Sequence, residues 1–381
     1  MDIAIIKRRF SLRQGGSERH CVTISRQLQQ LGHRVSIVGE TIDPELTDEV
    51  RFLPVKVNHA TSWSRNRSFA ENSAQVVHQH HFDLVYGLSR SQAADVFRLT
   101  DRLQAHWMNV YYPNPLNRFL QHFNPRHRTI LDIERSIYGS QRVRRIITQS
   151  MLDRRLVNQY YGVPEEKIRT IYNGVDISLF NPSAQAERQA VRAELGLTAD
   201  QPLLIFASMD FEGKNLRAVL AALSRMTPRN AHLLVLGTGP ERKFARVAVY
   251  YGVRNRVTFA GRQSYIQRFY GAGDLFVLPT AYEPFPNVNL EALATGLPVL
   301  TSATHGGADI IQDGRNGYVV SHGQAVEEMV ERLNQHFALS ASQRHTMSQN
   351  CWETAQGMTL ENYTPQLMRV FEEVLVEKFR V

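Results

Sequence analysis

Glu283 and Glu291 stand eight positions apart in "AYEPFPNVNLEALATGLPVLTS", residues 281–302, with two prolines and two asparagines between them. The stretch reads as a loop leaving the apolar strand "DLFVLPT", then a helix through "ALATG", then a second strand. Pro284 and Pro286 fix backbone dihedrals in the loop, and Pro286 can serve as the first helical residue. A helix start at the carboxyl end of a parallel strand offers free N–H groups and the positive end of the helix dipole, which suits a diphosphate. Glu291 can then accept two hydroxyl hydrogen bonds from a ribose, and Glu283 can meet whatever projects beyond the phosphates. Spacing alone leaves open a second reading, in which both acids merely cap or solubilise the helix.

Gly15 and Gly16 follow the first strand and precede a helix, where a missing Cβ lets the backbone approach a phosphate or sugar. A plain turn uses the same pair. No two aspartates lie two positions apart anywhere in the chain, so the Asp-x-Asp device for a nucleotide-bound divalent ion is absent from the sequence. Neither a metal nor a cofactor is expected. Cys21 and Cys351, the only cysteines, support neither a disulfide framework nor a zinc site and read as unremarkable thiols of a reducing cytoplasm.

The elements that must position these residues alternate between strand and helix. "DIAIIK", "RVSIVGE", "FDLVYGLS", "VRRIITQS" and "IRTIYNG" are the strands of the first half, with amphipathic helices such as "GSERHCVTISRQLQQLG" between them. "PLLIFAS", "HLLVLGTG", "RVTFAG", "DLFVLPT", "PVLTSA" and "GYVVS" repeat the pattern in the second half. Alternation of this kind predicts mostly parallel, doubly wound sheets with ligands outside the carboxyl ends of the strands. We therefore expect an α/β protein of two Rossmann-like domains facing a central cleft. Residues 1–177 form the first, 178–357 the second, and a C-terminal helix over 358–381 packs back towards the first.

The 381 residues are 43% apolar and 21% charged, which places the chain among globular proteins of about two domains. Its longest apolar runs are far short of a membrane span, and the start, "MDIAIIKRRF", does not read as a secretory signal peptide. The net charge of +8 is unevenly placed: residues 1–180 carry 25 Lys+Arg against 17 Asp+Glu, and residues 181–381 carry 19 of each. Such asymmetry points the first domain at an anionic partner. The run 106–145 mixes aromatic residues with arginine and histidine, as a membrane interface with anionic lipid requires; a partly buried helix pair with a basic face gives the same composition. Nucleic acid is not expected, since no recognisable nucleic-acid module accompanies the basicity.

Residues 257–320, from "VTFAGRQ" through the two glutamates to "GRNGYVV", resemble the C-terminal domain of retaining, nucleotide-sugar-dependent glycosyltransferases of the GT-B fold, whose E-x7-E motif matches Glu283 and Glu291. "IRTIYNGVD" resembles the passage between the two domains of that family, and Gly15-Gly16 its N-terminal glycine loop. "SMDFEGKNL", residues 208–216, is similar to a segment of the lipopolysaccharide core glucosyltransferases. The resemblance implies that Lys214 holds the donor diphosphate and neutralises charge on the leaving nucleotide. It further implies that Glu291 binds the ribose, that Glu283 meets the donor sugar, and that Arg262 lies beside base and phosphates. Asn287 joins the donor-binding set. "GLSRSQAADVFRL" resembles the segment carrying a functional aspartate in the core glucosyltransferases, which makes Asp95 a catalytic candidate with Lys214 and Glu283. His20 could also approach the site, although a lone histidine there reads as well as a structural residue.

Two departures stand out. Pro286 occupies a position that is usually glycine in the family, so an amide donor is lost. An arginine that many relatives carry before the lysine is missing, and Arg217 is the available substitute. The function implied is a retaining, metal-independent hexosyltransferase, moving glucose from UDP-glucose onto a lipopolysaccharide core or related cell-surface glycan. It would work in the cytoplasm, peripherally at the inner membrane. A nucleotide-sugar epimerase of the same build and a non-catalytic sugar-nucleotide sensor remain open alternatives.

Overall fold

The structure, a computed structural model, describes residues 1–13 and 16–379. Gly15 therefore lies outside the described residues. The chain divides into two compact units, Met1–Tyr172 with Tyr363–Val381, and Asn173–Asn362.

Unit 1 is built on β1 (Asp2–Ile6), β2 (Arg9–Phe10), β3 (Arg34–Gly39), β4 (Thr41–Ile42), β5 (Arg51–Pro54), β6 (Leu84–Gly87), β7 (Val96–Arg98), β8 (Arg145–Thr148) and β9 (Ile168–Thr170). Seven of these form a parallel sheet in the order β5-β3-β1-β6-β7-β8-β9, and β2 pairs with β4. The helices are α1 (Gly16–Gln30), α2 (Ser62–His78), α3 (Gln104–Tyr111), α4 (Pro115–Gln121), α5 (Pro125–Tyr138) and α6 (Met151–Tyr161). Apolar patterning locates the central strands because a parallel strand is covered on both faces and reads as a continuous apolar run. It does not locate β5 or β7. β5 is "RFLP", with an exposed Arg51, and β7 is "VFR", whose Arg98 is fully buried and donates to the Tyr363 hydroxyl at 2.5 Å.

A further helix, α14 (Leu360–Phe379), belongs to unit 1 from Tyr363 onward. Tyr363, Leu367, Phe371 and Val374 pack in one cluster with Ile5, Ile37, Tyr86 and Val96. Ion pairs fasten its outer turns: Glu373 to Arg145 at 3.0 Å and Arg169 at 2.8 Å, and Lys378 to Asp95 at 3.0 Å.

Unit 2 carries β10 (Leu203–Ala207), β11 (His232–Leu236), β12 (Val257–Gly261), β13 (Leu275–Leu278), β14 (Val299–Ser302) and β15 (Gly317–Val320), all parallel, in the order β12-β11-β10-β13-β14-β15. The topological switch point, where strand order reverses, falls between β10 and β13. Its helices are α7 (Arg188–Glu194), α8 (Leu216–Arg225), α9 (Glu241–Tyr250), α10 (Ile266–Ala272), α11 (Asn287–Ala294), α12 (Val326–Phe337) and α13 (Ala341–Gln356). α8 shows why such helices form: Leu216, Val219, Leu220 and Leu223 repeat at helical spacing, and all four are fully buried.

Buried histidines give unit 2 a definite acid response. His336 on α12 is 1% exposed, bonds the Asp274 carbonyl through Nε2 at 3.0 Å, and has its pKa pushed down to about 4 by burial. An unfolded histidine titrates near 6.5, so the unfolded chain binds the proton first and stability falls as pH drops from about 6.5 towards 4. One such group contributes a slope of about 1.4 kcal/mol per pH unit inside that window. His336→Gln should flatten the decline in unfolding free energy by that slope, measured by denaturant titration at pH 7, 6 and 5.

Candidate functional site

The carboxyl ends of β10 and β13, side by side at the switch point of unit 2, bring two distant stretches together. After β10 the chain turns through Ser208–Asn215. Ser208 Oγ accepts from the Asp210 amide at 2.8 Å, and Asp210 Oδ1 accepts from the Gly213 amide at 2.9 Å. Asn215, left-handed at φ 54°, opens α8 and donates to the Pro279 carbonyl at 2.7 Å. The Ala281 amide donates back to the Gly213 carbonyl at 3.0 Å. Those two bonds lace the Lys214 loop to the Glu283 loop, and Lys214 and Glu283 form an ion pair. The lysine is buried, with 8% of its side chain exposed; the glutamate is half-buried, at 30%.

Helix α11 starts one residue after the expected point. Pro286 is the cap residue, at φ −77° and ψ 108°, and Asn287 is the first helical residue. No side chain caps that helix start. Asn287 Oδ1 accepts from Asn173 Nδ2 at 2.5 Å, which ties the "YNGVD" segment to the helix start. Glu291, one turn on, has the Tyr270 hydroxyl 3.5 Å from its carboxylate. Tyr270 is buried on α10. Lys214, Glu283, Asn287 and Glu291 thus stand on the loops and helix that follow β10 and β13. Arg262 is exposed at the carboxyl end of β12, the edge strand, and Arg217 is exposed on α8. A diphosphate laid over the α11 start and Lys214 would meet a dipole end and an ammonium.

In unit 1, Gly16 opens α1 beyond β1. His20 is buried in α1, its ring edge-on to Tyr363 at 4.9 Å, and burial holds its pKa well below the ordinary value. That environment makes it a neutral core residue.

Asp95 requires a correction. As a catalytic candidate it is misplaced, because it immediately precedes β7, at the amino end of a parallel strand, whereas ligands bind outside the carboxyl ends. Its carboxylate, 5% exposed, accepts from the Val85 amide at 2.9 Å and from Lys378 at 3.0 Å, with Arg142 at 3.9 Å. These are the bonds of a structural anchor for α14. Asp95→Asn should therefore cost about 2 kcal/mol of stability by breaking a half-buried pair, measured by denaturant titration at pH 7.

The acid at the carboxyl edge of β7 is Asp101, which the apolar reading missed because "VFR" does not look like a strand. Its side chain is 57% exposed and accepts from Arg90 at 3.1 Å. Arg90 is held in turn by buried Glu134, which also accepts from the Gln104 amide at 3.0 Å and the Tyr161 hydroxyl at 2.6 Å.

Within the basic aromatic run, α3 and α5 are packed: Met108, Ile130, Leu131, Ile133 and Ile137 are buried. α4 has no buried residue. Leu116, Phe119, Leu120 and Phe123 are 57–69% exposed, with Arg118, His122 and Arg126 among them. Among the described residues no helix is long and apolar enough to cross a membrane.

Two family models match the chain, Glycosyltransferase Family 4 over residues 14–179 and Glycosyl transferases group 1 over residues 201–338. The lipopolysaccharide glucosyltransferase WaaG of Escherichia coli K12 is 25% identical over 328 residues, 84% of this chain and 85% of the relative. The lipopolysaccharide core biosynthesis glycosyltransferase LpsE of Rhizobium meliloti is 33% identical over 167 residues, 44% of this chain and 48% of the relative. Among solved structures, WaaG superposes with a TM-score of 0.82 at 23% identity, covering 98% of this chain and 99% of the other. Anabaena HepE in complex with UDP-glucose superposes with a TM-score of 0.73 at 20% identity, covering 98% and 100%.

Proposed function

This chain belongs to the glycosyltransferases of the GT-B fold, and on that premise we propose that it is a retaining hexosyltransferase working from a nucleotide diphosphate sugar. UDP-glucose is the donor proposed first, given the UDP-glucose complex of HepE and the glucosyltransferase name of WaaG. The acceptor proposed is a hydroxyl of a lipopolysaccharide core or related cell-surface glycan. The observation that carries the reading is the Lys214–Glu283 pair at the switch point, beside a helix start that no side chain caps.

In this reading the diphosphate lies over the first turn of α11, and Lys214 exchanges Glu283 for a phosphate oxygen. The freed carboxylate turns to hydroxyls of the donor sugar, and Glu291 holds the ribose. As the glycosidic bond breaks, the electron pair goes to the phosphate, and the ammonium of Lys214 stabilises that charge without a metal ion. The acceptor hydroxyl attacks from the face the nucleotide leaves, and the leaving phosphate takes its proton. Within unit 1, Asp101 beyond the carboxyl end of β7 is the acid we propose for binding an acceptor hydroxyl. The test is transfer with a panel of UDP-, GDP- and ADP-sugars, chelator present, onto truncated core glycans, with the product anomer read by NMR. Chelator-resistant transfer with retained configuration is the expected result; an inverted product or a strict metal requirement would refute it.

The membrane contact we propose is α4. Its three exposed apolar side chains, Leu116, Phe119 and Leu120, with Phe123 just beyond it and basic residues interleaved, suit insertion among anionic headgroups. Phe119→Ser combined with Phe123→Ser should reduce co-sedimentation with anionic vesicles about tenfold and leave transfer to a water-soluble acceptor intact.

A further inference from the structure

His305 lies beneath the Glu283 loop, and the donor site as described leaves it without a task. It is 1% exposed and follows β14. Its Nδ1 accepts the Gly307 amide at 3.0 Å and caps the short 3-10 turn Gly306–Ile310. Its Nε2 sits 2.5 Å from Thr301 Oγ1. Thr301 gives its own hydrogen to the Leu278 carbonyl at 3.0 Å, so its oxygen accepts, and Nε2 must carry the ring proton. Asn289 Nδ2, from the first turns of α11, lies 3.3 Å from the same Thr301 oxygen. The Gly306 amide then donates to the Glu283 carbonyl at 3.0 Å.

The connection therefore runs from the last residue of β13 through Thr301 and the His305 ring to the Gly306–Gly307 turn, and from there to Glu283. The turn has little room to settle elsewhere: a Cβ on Gly307 would come within 2.9 Å of Pro286 Cδ and 2.8 Å of Asn289 Nδ2. Burial and the nearby Lys214 charge push the His305 pKa down to about 3, so Nδ1 stays open as an acceptor at every working pH.

We propose that His305 is a positioning residue for sugar transfer, fixing through Gly306 and Gly307 the backbone from which Glu283 reaches Lys214 and the donor sugar. The proposal rests on the donor-site reading above. His305 touches no reacting atom in it. Its effect is on the aim of Glu283, and so on turnover more than on nucleotide affinity.

Two substitutions separate this role from simple space filling. Asparagine places an acceptor near Nδ1 and is a preferred capping residue, so His305→Asn keeps the turn. Glutamine is closer to histidine in volume and places a donor near Nε2, but it loses the cap. Expected for His305→Asn is a kcat within about threefold of wild type, and for His305→Gln a kcat about tenfold lower with donor KM nearly unchanged. Thr301→Val, which removes the anchor of the ring but leaves the Nδ1 cap, should give a kcat between those of the two histidine variants with donor KM nearly unchanged, and serves if either histidine variant does not fold. Glutamine outperforming asparagine, equal losses in both, or a loss carried by KM would overturn the proposal while wild-type turnover leaves the donor site standing. Wild-type protein that releases no nucleotide from any sugar donor would overturn the donor-site reading and this proposal with it.

Discussion

Lys214→Met should lower kcat for sugar transfer by about two to three orders of magnitude, the loss seen when a preorganised donor to developing charge is removed. Methionine keeps the length and the apolar stem of lysine, so the buried path of the side chain remains filled. What disappears is the one ammonium that this structure presses against Glu283 at the switch point. The diphosphate gains charge as the glycosidic bond breaks, so the loss falls on the transition state more than on the bound donor. Donor KM should therefore rise only a few-fold, by the reasoning that separates uniform from transition-state binding. Arginine is not a conservative replacement here. A planar guanidinium cannot occupy the place of a compact ammonium with 8% of its side chain exposed, so Lys214→Arg should stay well below wild type. Single-turnover release of UDP from UDP-glucose measures the effect without interference from product release.

The second large effect is a division of labour between the two glutamates. Glu291→Ala should raise the donor KM by about 10- to 100-fold, the value of two charge-assisted hydrogen bonds to a ribose, with kcat nearly kept. Glu283→Ala should lower kcat by about 100-fold, because its carboxylate both orients the sugar and holds Lys214 before donor enters. The geometry supports the split. Glu291 sits inside α11 with the Tyr270 hydroxyl near its carboxylate, a fixed ligand. Glu283 sits on a loop with its own carbonyl tied to Gly306 and its side chain 30% exposed, a group that can change partners. Steady-state kinetics with varied UDP-glucose at saturating acceptor distinguishes the two. Normal turnover in both variants would sink the assignment.

Much of the fold was legible because parallel strands covered on both faces leave continuous apolar runs, as β10 does over every residue and β11 does after His232. The weak points were strands that carry charge. β7 holds a buried arginine whose partner, Tyr363, lies 265 residues away, so nothing local marks "VFR" as a strand. With β7 unread, the places of Asp95 at its amino end and Asp101 beyond its carboxyl end were not legible, and resemblance alone singled out Asp95. The two glutamates and the lysine could be named from motif resemblance. Their meeting could not, because it depends on β10 and β13 being neighbours across the switch point. His305 was invisible for a related reason: its work is a chain of hydrogen bonds through Thr301 and Gly306, and neither composition nor spacing encodes hydrogen-bond direction. The exposure of α4 was equally hidden, since α3 and α5 share its aromatic and basic composition and are nevertheless packed.

Binding of nucleotide sugar at the carboxyl edge of the unit 2 sheet can be read by photolabelling with an azido-uridine analogue of UDP-glucose, followed by peptide mapping. Label competed by UDP is expected in the segments that follow β10, β12 and β13, with its loss in Glu291→Ala. Competable label confined to unit 1, or unchanged in Glu291→Ala, would contradict it.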